Sequence, residues 1–455
     1  MLFHFRKDQR TTAIAAGVIG NIIEWYDFAL YGFMASVLSD VFFPSEDRLV
    51  SLIATYGVFA VGFIMRPLGS VIFGWLGDTI GRSRTLLLSV AMMAFPTLVL
   101  GLLPSYEVAG ILAPLLLVLV RMIQGLSVGG EFSTSVTYLV ETAPPKERGL
   151  AGSWANTGSL IGMLLGSGAA AIATDVFSAD VLASWGWRVP FLVGGILGVI
   201  AILLRKNLPE SPQFKLYEKA RCPNSPLKEA FTCNRVQMAQ GVLFSSGYGA
   251  LFYLALVYLP TWVSEISDIS LSEAMQANTL TLALLLPVIP LGGWVSDRLI
   301  RRTRLLVWDF TFLGAACALA FIWMQNGNPI AIFVGQIITG LILAVPLGAA
   351  PAMFAELFPE DDRLTGYSIV FNVGLGLVGG TTPMLASWLI LISGSALAPV
   401  ALTLIWAVIA IGALMWMRDR SREPLLTHCG TSIHHVLATS SGSELDTRGG
   451  QRPTK

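Results

Sequence analysis

Apolar runs of about 20 residues recur along the chain, separated by short polar turns. A run of that length crosses a ~30 Å hydrocarbon core as a helix. The pattern predicts twelve spans, at roughly 12–38, 50–77, 85–103, 109–140, 150–176, 187–205, 236–262, 273–296, 304–324, 329–357, 364–392 and 397–417. The longest internal polar stretch divides them six and six. The expected organisation is a helical bundle at 1–205, a connecting cytoplasmic loop at 206–235, a second bundle at 236–417 and a tail at 418–455. The tail is polar and rich in Ser, Thr and Gly, the composition of a disordered segment. The fold class is an all-α membrane protein, with twelve transmembrane helices forming two pseudo-symmetric six-helix bundles.

The second half repeats the first. Gly74-x-x-x-Asp78, with Gly81, Arg82 and Arg84 behind it, follows span 2; Gly293-x-x-x-Asp297-Arg298, with Arg301 and Arg302, follows span 8. Glu141 precedes Arg148 by seven residues after span 4, and Glu356 precedes Arg363 by seven after span 10. Gly152-Ser153 through Gly166 echoes Gly366-Tyr367 through Gly380. The offsets are 219, 215 and 214 residues, close enough to mark one duplicated unit. A duplicated six-helix unit with a site between its halves is the organisation of a transporter.

Composition agrees with a polytopic membrane protein. The 455 residues are 54% hydrophobic and 13% charged, too few charges to cover a soluble surface of this size. Formal net charge is zero, so no nucleic-acid partner is implied. With both termini in the cytoplasm, all but four of the 29 Lys and Arg fall on cytoplasmic segments. The exceptions are Arg48 and Arg188 near the outer side and Arg66 and Arg121 within spans. The basic start (Arg6, Lys7, Arg10) leads into an apolar segment longer than a leader's, so it is expected to be the first span. Cys222, Cys233, Cys317 and Cys429 are scattered, and the four histidines sit at the termini. No metal site, cofactor motif or nucleophile–base arrangement is expected. Gly374-x-Gly376-x-x-Gly379 lies inside an apolar span, which rules out its reading as a dinucleotide fingerprint.

Polar chemistry is concentrated in the first half. In span 4, Arg121, Gln124, Val128, Glu131, Ser135 and Tyr138 step by three or four and share a helix face. Gly125 and Gly129 lie on a neighbouring face, where another helix can approach closely. In span 1, Gly20, Glu24, Asp27 and Tyr31 form a second polar face. Arg66 lies twelve residues before Asp78, ~18 Å along a helix, near mid-membrane. Glu24, Asp27 and Glu131 therefore stand against Arg66 and Arg121, a surplus of one carboxylate. A buried carboxylate without a partner tends to take a proton. Ionisable groups at this depth mark a solute or ion pathway, or a static ion pair that fixes packing. The spans of the second half carry almost no charge and offer Tyr248, Tyr253, Tyr258, Asn278, Gln336 and Asn372 as hydrogen-bond formers.

At these residues the chain resembles the major facilitator superfamily. Gly74–Arg84 is similar to its loop motif, departing at Thr79, where a basic residue is usual, and at Ser83. The Glu-x6-Arg pairs and Pro209-Glu210-Ser211-Pro212 resemble the sugar-porter branch. Gly20-Asn21-Ile22-Ile23-Glu24-Trp25-Tyr26-Asp27-Phe28, Arg66-Pro67-Leu68-Gly69, Gln124–Glu131 and Trp185-Gly186-Trp187-Arg188-Val189-Pro190-Phe191 resemble the metabolite:proton symporters. That family carries proline and betaines, 2-oxoglutarate, citrate, shikimate and other small carboxylates. Its proline/betaine branch often has a heptad-patterned tail, and residues 424–455 show no heptads. Met163 follows Gly162, where drug/proton antiporters typically have proline.

The resemblance implies a secondary transporter that imports a small carboxylate-bearing solute with protons, and not an enzyme. A uniporter, a sodium-coupled carrier or an exporter of the same fold is the alternative. Asp27, facing Arg121, resembles the proton-coupling pair of sugar/proton symporters and ranks ahead of Glu131 and Glu24 as proton carrier. Arg66, Arg121, Tyr31, Gln124, Tyr253 and Asn372 are the expected solute contacts. Asp78, Arg82, Arg84, Glu141, Arg148, Asp297, Arg298, Glu356 and Arg363 are the expected cytoplasmic gate. The partners are a small-molecule solute, the proton and the lipid bilayer of the plasma membrane, the inner membrane if the source is bacterial. A monomer is compatible with this organisation.

Overall fold

The computed structural model describes residues 7–45, 48–215, 225–266, 271–325 and 327–426. Cys222, Cys429, the four histidines and the tail from 427 lie outside them. The described residues are helical, with no strand among them. The principal helices are α1 (Lys7–Phe33), α2 (Arg48–Thr79), α3 (Arg82–Leu102), α4 (Leu112–Thr142), α5 (Arg148–Val176), α6 (Arg188–Arg205), α8 (Leu271–Arg298), α9 (Arg302–Met324), α10 (Pro329–Leu357) and α12 (Ala398–Trp416). Two more are composite. In α7, Arg235–Phe252 passes through a π-helical stretch, Tyr253–Tyr258, into Leu259–Ile266. In α11, Arg363–Phe371 passes through Asn372–Gly379, also π-helical, into Gly380–Ser393.

Eleven helices among the described residues are long and apolar enough to cross a membrane. The twelfth, α1, carries Asn21, Glu24 and Asp27 in its middle, which dilutes its apolar character. Packing gives it its place, because it runs along the length of α5. The expected first span at 12–38 is interrupted: α1 ends at Phe33, and a separate short helix, Ala35–Phe42, follows.

Glycines set the two closest helix pairs of the first half. Gly158, Gly162 and Gly166 of α5 lie against the carbonyls of Val18, Ile22 and Tyr26 in α1. Gly125 and Gly129 of α4 lie against the Gly62 and Arg66 carbonyls of α2. With no Cβ in the way, the backbones meet by van der Waals contact, the principal attraction between helices in lipid. Between the halves, α2 meets α11 and α5 meets α8, as the duplication requires. The largest apolar cluster is shared by both halves and runs from Phe132 and Val136 through Phe244 and Tyr248 to Phe354 and Phe371. The rejected glycine fingerprint falls in the π-helical stretch of α11, where Gly374 and Gly379 pack on Ser245 and Gly249 of α7.

Candidate functional site

Two polar assemblies occupy this framework, one in the middle of the first half and one at the end where the halves meet. In the first, Arg121 Nη1 donates to Asp27 Oδ2 at 2.6 Å. Gln124 Nε2 and Thr97 Oγ1 lie 3.1 and 3.0 Å from Asp27 Oδ1. The polar faces of α1 and α4 therefore meet, with Thr97 of α3 as the partner that sequence spacing did not show. Arg121 stacks over Tyr31, its Cζ 3.7 Å from the ring centre, and the Tyr31 hydroxyl donates to the Thr55 carbonyl at 3.0 Å. This arrangement leaves Arg121 Nε and Nη2 and Gln124 Oε1 buried without a partner.

Seven residues beyond Gln124 on α4, about two turns, Glu131 does not stand free. Arg205, the last residue of α6, grips it through Nη1 to Oε2 at 2.9 Å and Nη2 to Oε1 at 2.6 Å, and Ser89 Oγ donates to Oε2. The remaining donors of Arg205 reach the Ala16 and Leu86 carbonyls at 2.7 and 2.8 Å. Gly20 leaves the room, since a Cβ there would run into both Glu131 and Arg205. This corrects the expected surplus of carboxylates. Arg205 counts among the buried charges, so three acids face three arginines. Glu24 and Arg66 are the acid and the base that make no ion pair among the described residues; Glu24 is 2% exposed with Oε2 unpartnered.

Arg66 lies over the Phe63 ring at 5.4 Å and at the Tyr253 hydroxyl of α7, which brings an expected contact from each half together. Asn372 is committed elsewhere. Its Nδ2 donates to the Gly129 and Ser368 carbonyls at 2.8 and 2.9 Å and braces α11 against α4. The second half also holds a charge that its composition did not bring forward: Asp309 of α9 is 7% exposed with Oδ2 unpartnered.

The second assembly is a lock with two-fold pseudo-symmetry. Asp78, at the end of α2, accepts from the backbone N–H groups of Leu364 and Thr365 at 3.2 and 2.7 Å. Asp297, at the end of α8, accepts from those of Gly149 and Leu150 at 2.8 and 2.9 Å. Each aspartate thus caps the first turn of a helix in the other half, where unpaired N–H groups and the helix dipole favour an anion. The glycine four residues earlier admits the approach. A Cβ on Gly74 would lie 2.8 Å from Thr365 Cα, and one on Gly293 would lie 2.5 Å from the Gly149 carbonyl oxygen.

Arginines complete the lock. Arg82 bridges Asp78 and Glu141 at 2.9 and 3.2 Å, and Arg363 reaches Glu141 from the other half at 2.8 Å. Arg302 bridges Asp297 and Glu356 at 3.2 and 3.0 Å, and Arg148 reaches Glu356 from the other half at 3.4 Å. Two expectations are corrected here. Arg298, expected in the gate, makes only a 3.7 Å pair with Glu147 at the surface, and the arginine that does there what Arg82 does in the first half is Arg302, which the expected gate left out. Arg84 is exposed and makes no ion pair among the described residues.

Two further segments join the lock. Glu210 accepts from the backbone N–H groups of Arg82 and Ser83 at 3.0 and 3.2 Å, and Ser211 Oγ donates to Glu141 Oε2 at 2.5 Å. Burial raises the Glu210 carboxyl above its ordinary range, against these donors. The start of the tail, expected to be disordered from 418, lies on the same face as far as Leu426. Arg148 donates to the Glu423 carbonyl at 2.9 Å, Arg363 donates to the Leu426 carbonyl at 2.8 Å, and the Leu425 side chain is buried.

The family model described as the Major Facilitator Superfamily matches residues 17–331 and 259–428. The proline/betaine transporter of Salmonella typhimurium is 34% identical over 424 residues, 91% of this chain and 84% of its own. The glycine betaine/proline/ectoine/pipecolic acid transporter OusA of Dickeya dadantii is 33% identical over 423 residues, 91% and 84% of the two chains. Among solved structures, the proton:xylose symporter XylE bound to 6-bromo-6-deoxy-D-glucose superposes with a TM-score of 0.76 at 17% identity, over 92% of this chain and 98% of that one. The E. coli fucose:proton symporter FucP gives 0.67 at 12% identity, over 89% and 98%. Matched along nearly its whole length by the family model and by relatives a third identical to it, the chain belongs to the major facilitator superfamily and is a multi-pass secondary transporter.

Proposed function

We propose that the chain imports a small zwitterion of the proline/betaine class together with protons. The observation that carries this reading is the Asp27–Arg121 pair: an ion pair inside the membrane whose arginine keeps two buried nitrogens, Nε and Nη2, unpartnered. A solute carboxylate would satisfy them, and protonation of Asp27 would release a third. Arg66 is a second cation for the same end of the solute. Its cationic end is served by Glu24, buried with Oε2 unpartnered. The relatives named for proline and betaine transport agree with this chemistry. In proteoliposomes, labelled proline or glycine betaine is expected to accumulate when the lumen is alkaline, and to stop when a protonophore is added. Accumulation driven by a sodium gradient alone, or of citrate in place of every zwitterion, would refute the reading.

In the same reading, 1–205 and 236–417 are the two moving bundles, 206–235 and both termini face the cytoplasm, and the lock is the cytoplasmic gate. The distribution of Lys and Arg supports that orientation. Labelling of Cys222 or Cys429 by an impermeant thiol reagent in intact cells would contradict it. The gate must part for inward opening, so its ion pairs hold the transporter shut inside. Asp78→Asn leaves the first turn of α11 with a weaker cap and Arg82 with one acid instead of two. It is expected to raise the inward-open population; unchanged accessibility at the gate together with unchanged transport would reduce Asp78 to a topology signal.

A further inference from the structure

Between α10 and α11 lie three consecutive acids, Glu360, Asp361 and Asp362, outside the membrane-spanning helices and on the locked face. Glu360 is 1% exposed and Asp362 fully buried. Glu360 faces Glu141 of α4, Arg363 of α11, Arg82 of α3 and its neighbour Asp361. Asp362 faces Asp78 of α2, Glu229 of the short helix Pro226–Thr232, and Asp361. Its side-chain donor is Asn234 Nδ2, at 2.8 Å from Oδ2.

The cations of this corner are already engaged. Arg82 is held by Asp78 and Glu141, and Arg363 by Glu141 and the Leu426 carbonyl. Glu360 Oε1 and Asp362 Oδ1 are buried with no donor. A carboxylate oxygen buried in this way is costly if charged, and the group escapes the cost by binding a proton. Burial accordingly pushes the Asp362 carboxyl up to about 8, and burial with Glu141 beside it raises that of Glu360. Glu210, on the same face, differs in having backbone N–H donors on both oxygens.

We propose that the gate is itself a proton-binding site: Glu360 and Asp362 each hold a proton while the halves are locked, and release it to water when the lock parts. The proposal rests on the reading of this face as a gate. The proton leaves a neutral carboxyl, and the ionised group is then hydrated. Locked, these acids titrate high; open, they titrate at their ordinary values. Between those limits each closure takes up a proton, so the locked-to-open ratio falls by up to tenfold per pH unit for each group. Below the ordinary carboxylate range and above about 8 the ratio is flat.

The test uses the full chain in detergent micelles with the native cysteines replaced by serine. Spin labels at Arg84→Cys and Arg304→Cys, both exposed, report the separation of the halves by pulsed electron resonance. The long-separation fraction is expected to rise from pH 5.5 and level off above about 8. In Glu360→Gln/Asp362→Asn, which mimics the protonated pair, it should stay low and flat; each single variant should lose one proton's worth of slope. An unmodified gate whose ratio ignores pH would overturn the proposal. So would a double variant that titrates like the parent, which would assign the proton to Asp27 or another acid. Micelles expose both faces, so orientation does not enter. If Asp78→Asn/Asp297→Asn fails to lengthen the separation, the gate reading itself has failed; if it lengthens while pH does nothing, only the proton site has.

Discussion

Asp27→Asn is expected to abolish accumulation of solute against its gradient while sparing exchange of labelled for unlabelled solute. In the parent, ionised Asp27 holds Arg121 at 2.6 Å, and Gln124 and Thr97 contribute to the same carboxylate. Protonation removes the charge that holds Arg121 and frees the guanidinium for the solute. Proton and solute then favour each other's binding, commonly by about 1–3 kcal/mol. An amide in place of the acid fixes the protonated state, so the coupled step is lost and the uncoupled one survives. Arg121→Ala is expected to lose binding and exchange together. If Asp27→Asn still accumulates solute, Glu24 becomes the first candidate carrier, because it is buried and keeps Oε2 without a partner.

Arg205→Ala is expected to destabilise the protein by about 3–5 kcal/mol, the usual cost of removing one member of a buried ion pair. The loss strands Glu131, with only Ser89 left beside it, and removes the side-chain donor that Arg205 adds at the Ala16 and Leu86 carbonyls. The combination Glu131→Gln/Arg205→Met should recover most of the loss, since no uncompensated charge remains and methionine fills much of the arginine stem's volume. Thermal midpoints in detergent separate the two variants. Because Arg205 grips Glu131 through both oxygens, Glu131→Gln alone should keep proton-driven accumulation in whatever protein folds. Loss of coupling there, at normal expression, would instead make Glu131 the carrier and the pair a moving part.

The helices were legible because each must be apolar for about 20 residues, and the duplication was legible because its motifs keep their spacing. The Asp27–Arg121 pair could be reached from depth alone, since both residues sit mid-span. Arg205 could not. It ends α6, where a basic residue satisfies the charge rule for a cytoplasmic boundary, and only the structure shows the side chain turned into the bundle beside Glu131. Arg302 could not be told from Arg301 by spacing, because the second loop is one residue longer and the offset of 219 puts Arg301, not Arg302, at the position of Arg82. The docking of 418–426 was hidden because backbone carbonyls, which every residue has, make its contacts with Arg148 and Arg363. The π-helical stretches in α7 and α11 left no periodicity that a 3.6-residue pattern would reveal.

The capping of α11 by Asp78 and of α5 by Asp297 has a consequence for how this lock can vary between sequences. The receiving end is main chain: the amides of Leu364 and Thr365 on one side, and of Gly149 and Leu150 on the other. Main chain recognises the aspartate, so Leu150 and Leu364 can drift without a compensating change at Asp78 or Asp297, whereas Gly149 cannot, since a Cβ there would run into Arg302 Nη1 and Ser296 Oγ. At those two leucines pairwise covariation would miss the contact, and alanine would leave the receiving amides in place. Proline alone, by deleting the amide hydrogen, would register.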